Sequence, residues 1–192
     1  KFREEFRANS DWLKLSFHSD RENVRPYAHS CYEEVYADCD AVQKEILRFA
    51  SRASLAETTT LHYCLATPEG LRALKDNGVK GLLGLYKDMV SYCMEEAEVA
   101  RLRGGEVVEK NGIAFAPIDV VLNCFSQAEI MRQLSALRHR EHLWVMIHEQ
   151  YFYPDYSRHQ PDFEEKLSMT FSRLLELGYR SAFFEDLLTA AP

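Results

Sequence analysis

The chain has no C-x-x-C pair, no Asn-x-Ser/Thr sequon, no apolar run near 18 residues and no cluster of positive charge. Each absence removes a class of protein. Without a long apolar run or a charged-then-apolar opening segment, a membrane partner and a secretory signal are not expected. The five cysteines (Cys31, Cys39, Cys64, Cys93, Cys124) are odd in number and widely spaced. That pattern suits reduced thiols in a cytoplasmic protein better than a disulfide framework or a zinc knuckle. Against 30 acidic residues stand 23 basic ones, a formal charge of −7, so no nucleic-acid partner is expected, because such proteins gather cations on one face. The most basic stretch, "LRHREHLW" (137–144), falls at an expected helix-to-strand junction, where cations suit a helix C-terminus. The spaced glycines of "GVKGLLGLY" lack the order G-x-x-x-x-G-K-[ST] and hold no nucleotide phosphate.

What the chain does have is apolar material: 46% hydrophobic and 12% aromatic residues among 192, enough for one sizeable core or at most two small ones. No Pro-, Gly- or Ser-rich linker, repeat or low-complexity tract divides it, so a single domain over residues 1–192 is expected. Short apolar runs alternate with amphipathic ones. "WLKLSF" (12–17), "TTTLHY" (58–63), "KGLLGLY" (80–86) and "HLWVMIH" (142–148) read as strands, and "MVSYCM" and "RSAFFEDLL" as shorter ones. Helices are expected over 30–51, capped by Ser30 with Glu33 as its reciprocal partner, and over 67–78, with Thr67 as cap and Pro68 at the first position. Others are expected over 126–140, capped by Ser126 with Glu129, and over 162–178, ended by Gly178. Cys31 and Cys39 fall on an apolar helical face with Val35, Val42 and Ile46, which assigns them to the core. In the less regular middle, "EVVEKNGIAFAPIDVVLN" reads as a hairpin-like insertion turning at Lys110-Asn111-Gly112. The β-α-β-α-β order predicts a parallel sheet with right-handed crossovers, open or closed into a barrel.

In such architectures chemistry lies beyond the carboxyl ends of the strands. His18 closes the first expected strand, His62 lies near the end of the second and His148 closes "HLWVMIH". The three are expected to face one cleft. A divalent metal, zinc before others, takes neutral imidazoles and carboxylates and keeps an open position for a water whose pKa it lowers. His18, His62 and the following acids Asp20 and Glu22 are the candidate ligands. "HEQYFYPDY" (148–156) crowds rings behind His148. Tyr63, Tyr86 and Tyr151 are the aromatic candidates for stacking on substrate, and Glu149 for orienting His148. Cys64, two residues from His62, is a lesser candidate for a nucleophile beside a base; packing is its plainer reading.

Four segments together carry a family resemblance: "LSFHSDRENVRPYAHSCYEEVYADCDAVQKEIL", "TPEGLRALKDNGVKGLLGLY", "VMIHEQYF" and "FEEKLSMTFSRLLELGYRSAFFEDLL". In this order they resemble the polysaccharide deacetylases, the NodB-like carbohydrate esterases. The resemblance implies a distorted, seven-stranded β/α barrel and a metal-dependent hydrolase that removes an acyl group from an amide nitrogen of a carbohydrate or small molecule. It places His18 as the first histidine of the metal pair and His148 as the general acid.

The departures are specific. Four residues after His18 stands Glu22 rather than histidine, and "LHYCLATPEG" replaces the family's Arg-Pro-Pro-Gly loop. The family's aspartate pair has no counterpart; the chain opens on Lys1, and the strand carrying that pair is expected upstream. Three readings therefore stand: a metal-dependent deacetylase or related amidohydrolase, a deacetylase-like protein without metal that binds carbohydrate, and a structural or regulatory domain whose histidines only satisfy strand ends.

Overall fold

Capping chemistry sets most helix boundaries in this chain. The computed structural model describes residues 2–20, 26–85 and 92–189, and all that follows concerns these. Helix α1 (Phe2–Ala8) carries acids in its first turn and an arginine in its last, as the helix dipole favours. In α2 (Tyr32–Phe49) the cap is Cys31 with Glu34 as reciprocal partner, one residue later than the expected Ser30 and Glu33. Ser30 is instead buried, and its carbonyl accepts the Thr67 hydroxyl at 2.7 Å. Cys31 is correspondingly exposed, not in the core, while Val35, Cys39 and Ile46 are buried as expected.

The cap of α3 (Pro68–Asp76) matches expectation: Thr67 Oγ1 accepts the Gly70 N–H at 3.0 Å, Pro68 opens the helix and Gly78, at φ +84°, lies just beyond its end. Thr67→Ala removes both hydroxyl bonds. It should destabilise the protein by about 1 kcal/mol, read as a lower urea midpoint with an unchanged slope. Helix α4 (Glu96–Arg103) follows. Ser126 and Glu129 form the expected capping box of α5 (Gln127–Leu137), and Gly178, at φ +89°, follows the end of α6 (Phe163–Glu176). The last expected strand is a helix, α7 (Phe184–Thr189). Its short apolar run buries Phe184 and Glu185 as one turn of a helix would.

The strands are β1 (Thr58–Thr59), β2 (Gly81–Leu83), β3 (Val108–Lys110), β4 (Ile113–Ala116), β5 (Val120–Val121) and β6 (Val145–Met146). By contacts the chain forms two compact units, one running to Pro117 and resuming at Ala182, the other spanning Ile118–Ser181. The first holds a sheet in the order β1-β2-β4-β3. β1 and β4 flank β2 in parallel, with Thr58 opposite Gly81, as the alternation predicts, and Leu82 opposite Phe115. β3 joins β4 antiparallel through the expected hairpin, Asn111 and Gly112 taking φ +55° and +77° as a primed turn demands. Leu61, Leu74, Leu82 and Phe115 are buried. Gly81 is needed because the Phe184 ring of α7 lies where its Cβ would stand, 2.7 Å from Cε1. The second unit packs α5 and α6 around Val120, Leu122, Ile130, Leu134 and Phe163, beside the parallel pair β5-β6.

The seven-stranded barrel is not what forms. Among the described residues seven helices accompany six short strands in two separate small sheets, and none closes on itself. The strands are too short to carry a continuous ladder round a barrel, and β3 ends the larger sheet as an antiparallel edge. The expected strand at 12–17 makes one parallel bridge, Leu15 to Leu55, and those at 58–63, 80–86 and 142–148 shrink to β1, β2 and β6. Of "MVSYCM", Met89 to Ser91 lie outside the described residues, and Tyr92 and Cys93 form a turn. No helix among the described residues is long and apolar enough to cross a membrane.

Candidate functional site

In the first unit the parallel strands β1 and β2 end at Thr59 and Leu83, and just beyond each the backbone turns left-handed. Tyr63 and Cys64 take φ +60° and +53°, Leu85 +71°, and Tyr92 and Cys93 +53° and +55°. Non-glycine residues there carry of order 1–3 kcal/mol of strain each and persist only where the surroundings impose them. Tyr92 is that constraint. Its N–H donates to the Cys64 carbonyl at 3.1 Å, its hydroxyl donates to the Leu83 carbonyl at 2.7 Å, and the same oxygen accepts the Leu61 N–H at 3.1 Å. The ring is buried against the backbone of Gly84, where a Cβ would collide with ring carbons, and burial pushes the phenol pKa well above its ordinary value. Tyr92→Phe should cost roughly 1–3 kcal/mol, because it leaves the Leu61 N–H buried without its acceptor. Chemical denaturation measures that loss, and a midpoint equal to the parent's would contradict it.

This edge, beyond the carboxyl ends of parallel strands, is where open α/β sheets receive ligands. His18 reaches it because residues 15–18 run beside 55–62: Leu15 exchanges backbone bonds with Ser54 and Ala56, and the His62 N–H donates to the His18 carbonyl at 3.2 Å. The two imidazoles lie with centroids 5.3 Å apart. His18 Nδ1 stands 2.5 Å from the Thr60 carbonyl. A carbonyl only accepts, so Nδ1 carries the proton and Nε2 is the basic nitrogen. His62 Nδ1 is buried and has no hydrogen-bond partner among the described residues. Burial first, and the neighbouring His18 second, hold the His62 pKa below its ordinary value, so the ring is neutral at neutral pH.

The other candidates of this edge differ in their standing. Tyr63 is 43% exposed and packs its ring against His62 at 4.5 Å. Asp20 is exposed, its N–H donating to the hydroxyl of the buried Tyr27 at 3.2 Å, which ties the His18 loop to Asp38 of α2. Glu22 and Tyr86 lie outside the described residues. Cys64 is buried, and burial pushes its thiol up to about 11, which fits the packing reading better than that of a nucleophile.

His148 belongs to the second unit. It follows β6, parallel to β5, and its Nδ1 stands 2.7 Å from Asn123 Oδ1 in the turn after β5. Sequence reasoning missed Asn123; the signal was available, since neighbouring parallel strands place their ends side by side. Glu149 is exposed and opens a short 3-10 turn, Glu149–Phe152. Tyr151 meets His148 edge-on at 6.3 Å but spends most of its ring on Tyr156 and Phe163, at 5.2 and 5.9 Å, and so packs the core of this unit.

The chemistry of a metal fits the first unit in part. His18 shows the outer-shell pattern of metal-binding imidazoles, one N–H given to a carbonyl and the other nitrogen left basic. The orphaned nitrogen of His62 calls for a partner. Among the described residues, however, no three of His, Cys, Asp and Glu gather as the ligands of one ion would. In comparisons with known proteins, no family model, curated protein or solved structure matches this chain.

Proposed function

We propose that the chain is a polysaccharide deacetylase-like hydrolase that cleaves an N-acyl group from a carbohydrate or small amide with the help of a divalent cation. The observation that carries this reading is the imidazole pair: His18 and His62, 5.3 Å apart at the carboxyl edge of parallel strands, the first fixed as a Nδ1–H tautomer by Thr60 and the second orphaned at Nδ1. His18 offers Nε2 and His62 Nδ1 as the ring nitrogens a cation takes. A catalytic zinc takes about three protein ligands; Asp20 does not gather with the two rings, so Glu22 is the acid left from the sequence to complete the shell. A bound cation would supply Lewis acidity and a water of lowered pKa.

The protein's own residues do the rest. His18 and His62 would hold the cation and Tyr63 offers an exposed ring on which a sugar face could stack; within its own unit His148 is oriented by Asn123, and the family resemblance gives it the part of a proton donor. Titration of the purified protein with zinc and cobalt, followed by assay on an N-acetylated amino-sugar oligomer, tests the proposal. Stoichiometric binding and release of acetate are expected; the absence of both sinks it. A second reading is favoured by one observation, that the described residues gather no third ligand: a metal-free protein that binds carbohydrate at the same edge. It requires oligosaccharide binding that a chelator leaves untouched.

A further inference from the structure

Lys166 is a cation in an unfavourable place for its helix. It is the fourth residue of α6, within the first turn, where the positive end of the helix dipole opposes a positive side chain. Its side chain is only 7% exposed, and a lysine that deep requires polar partners. Asp162, 44% exposed, offers a carboxylate oxygen at 3.4 Å. Nearer is Gln160, whose Oε1 accepts from Lys166 Nζ at 2.9 Å.

An ammonium can only donate, so this contact fixes which end of the Gln160 amide faces Lys166. The amide nitrogen must then point the other way, and there Nε2 donates to the Asn123 carbonyl at 2.9 Å. The backbone of Gln160 is committed too: its N–H donates to the Tyr151 carbonyl and its carbonyl accepts the Phe163 N–H, both at 3.0 Å. Asn123 in turn receives the Nδ1–H of His148 on Oδ1 at 2.7 Å. A row of polar groups thus runs from a buried ammonium to an imidazole, all within the second unit.

We propose that Lys166 and Gln160 are positioning residues for His148. The ammonium orients the Gln160 amide, the amide pins the turn that carries Asn123, and Asn123 holds the imidazole as the Nδ1–H tautomer. Nε2 is then the atom that exchanges a proton: when the imidazolium protonates a departing nitrogen, the proton leaves Nε2 and the neutral Nδ1–H form remains. The use of that proton rests on the hydrolase reading; the tautomer does not.

The test is long-range 15N–1H NMR on protein labelled at histidine, at a pH above the ordinary imidazole range. The parent should show His148 in a single Nδ1–H tautomer. Lys166→Met and Gln160→Glu should both lose that preference, their ring nitrogens moving towards the averaged shifts of free imidazole. Gln160→Glu is the sharper variant, because it keeps an acceptor for Lys166 and removes only the donor to Asn123, so it decides the matter even if Lys166→Met fails to fold. Lys166→Arg, which keeps a buried donor cation, should retain the parent pattern. A parent-like tautomer in folded Gln160→Glu overturns the proposal, as does a parent without tautomer preference. The expected tautomers in a protein that cleaves no N-acyl substrate would uphold the positioning row and end the hydrolase reading alone.

Discussion

His18→Ala is expected to abolish zinc and cobalt binding, whereas His148→Ala should bind both as the parent does and lose turnover by roughly 10²- to 10⁴-fold, the usual range for a general acid. The two histidines are not interchangeable. A ligand must offer a lone pair and so be neutral, while an acid must enter the reaction charged. His18 is built for the first task, with Nδ1–H committed to Thr60 and Nε2 basic; His148 is held in the other unit by Asn123. Calorimetric titration with zinc, together with initial rates on an N-acetylated amino-sugar oligomer, separates the two effects. If both variants bind metal like the parent and retain its rate, the roles are wrongly assigned. His62→Ala should weaken binding as well, and it removes a ring that burial keeps neutral.

The second large effect lies at Asp119. Its carboxylate, 3% exposed, is held by Arg140 Nη1 on one oxygen and by the Trp144 N–H at 3.0 Å on the other, while its own N–H donates to the Trp144 carbonyl at 2.9 Å. Burial raises the Asp119 pKa above its ordinary value, the Trp144 N–H and Arg140 opposing that rise. Tyr179 adds a bond from its hydroxyl to the Arg140 carbonyl at 2.6 Å. Asp119→Ala takes away the buried carboxylate that pairs with a guanidinium only 13% exposed, which should cost about 3–5 kcal/mol. At roughly 2–4 °C per kcal/mol for a chain of this size, Tm should fall by on the order of 10 °C. Removing both partners, as in Asp119→Leu with Arg140→Met, should recover much of the loss, because no charge is left unpaired. A calorimetric scan in which Asp119→Ala melts within a degree of the parent would show that the pair contributes little.

The sequence disclosed what is decided over a few residues. Thr67 with Pro68, Ser126 with Glu129, and Asn111-Gly112 each specify a local geometry that no distant contact overrides. At α2 two overlapping capping pairs satisfy the same i, i+3 rule, and tertiary burial of Ser30 beneath Thr67 chose between them. The parallel pairing of β1 and β2 was readable from alternation; that β4 joins β2 in parallel was not, because its stretch read only as half of a hairpin. Closure into a barrel was not, because it depends on strand length and stagger, which apolar runs overstate. At the site, His18 and His62 were foreseeable neighbours because they end adjacent extended segments. Asn123 was missed although it follows a strand parallel to that of His148; Lys166 and Gln160 were not foreseeable, because their roles arise from a polar row across elements that no spacing rule connects.

The contact of the Tyr92 ring with Gly84 constrains how this chain can vary over evolutionary time. Any side chain at position 84 would occupy the space of the ring, and losing the ring's hydroxyl removes the ties to Leu61 and Leu83. Neither position can therefore drift alone. In homologous chains, a residue larger than glycine at 84 should occur only together with a smaller residue than tyrosine at 92, and with glycine or asparagine appearing where Tyr63 and Cys64 now hold the left-handed turn, since those residues adopt it without an outside brace.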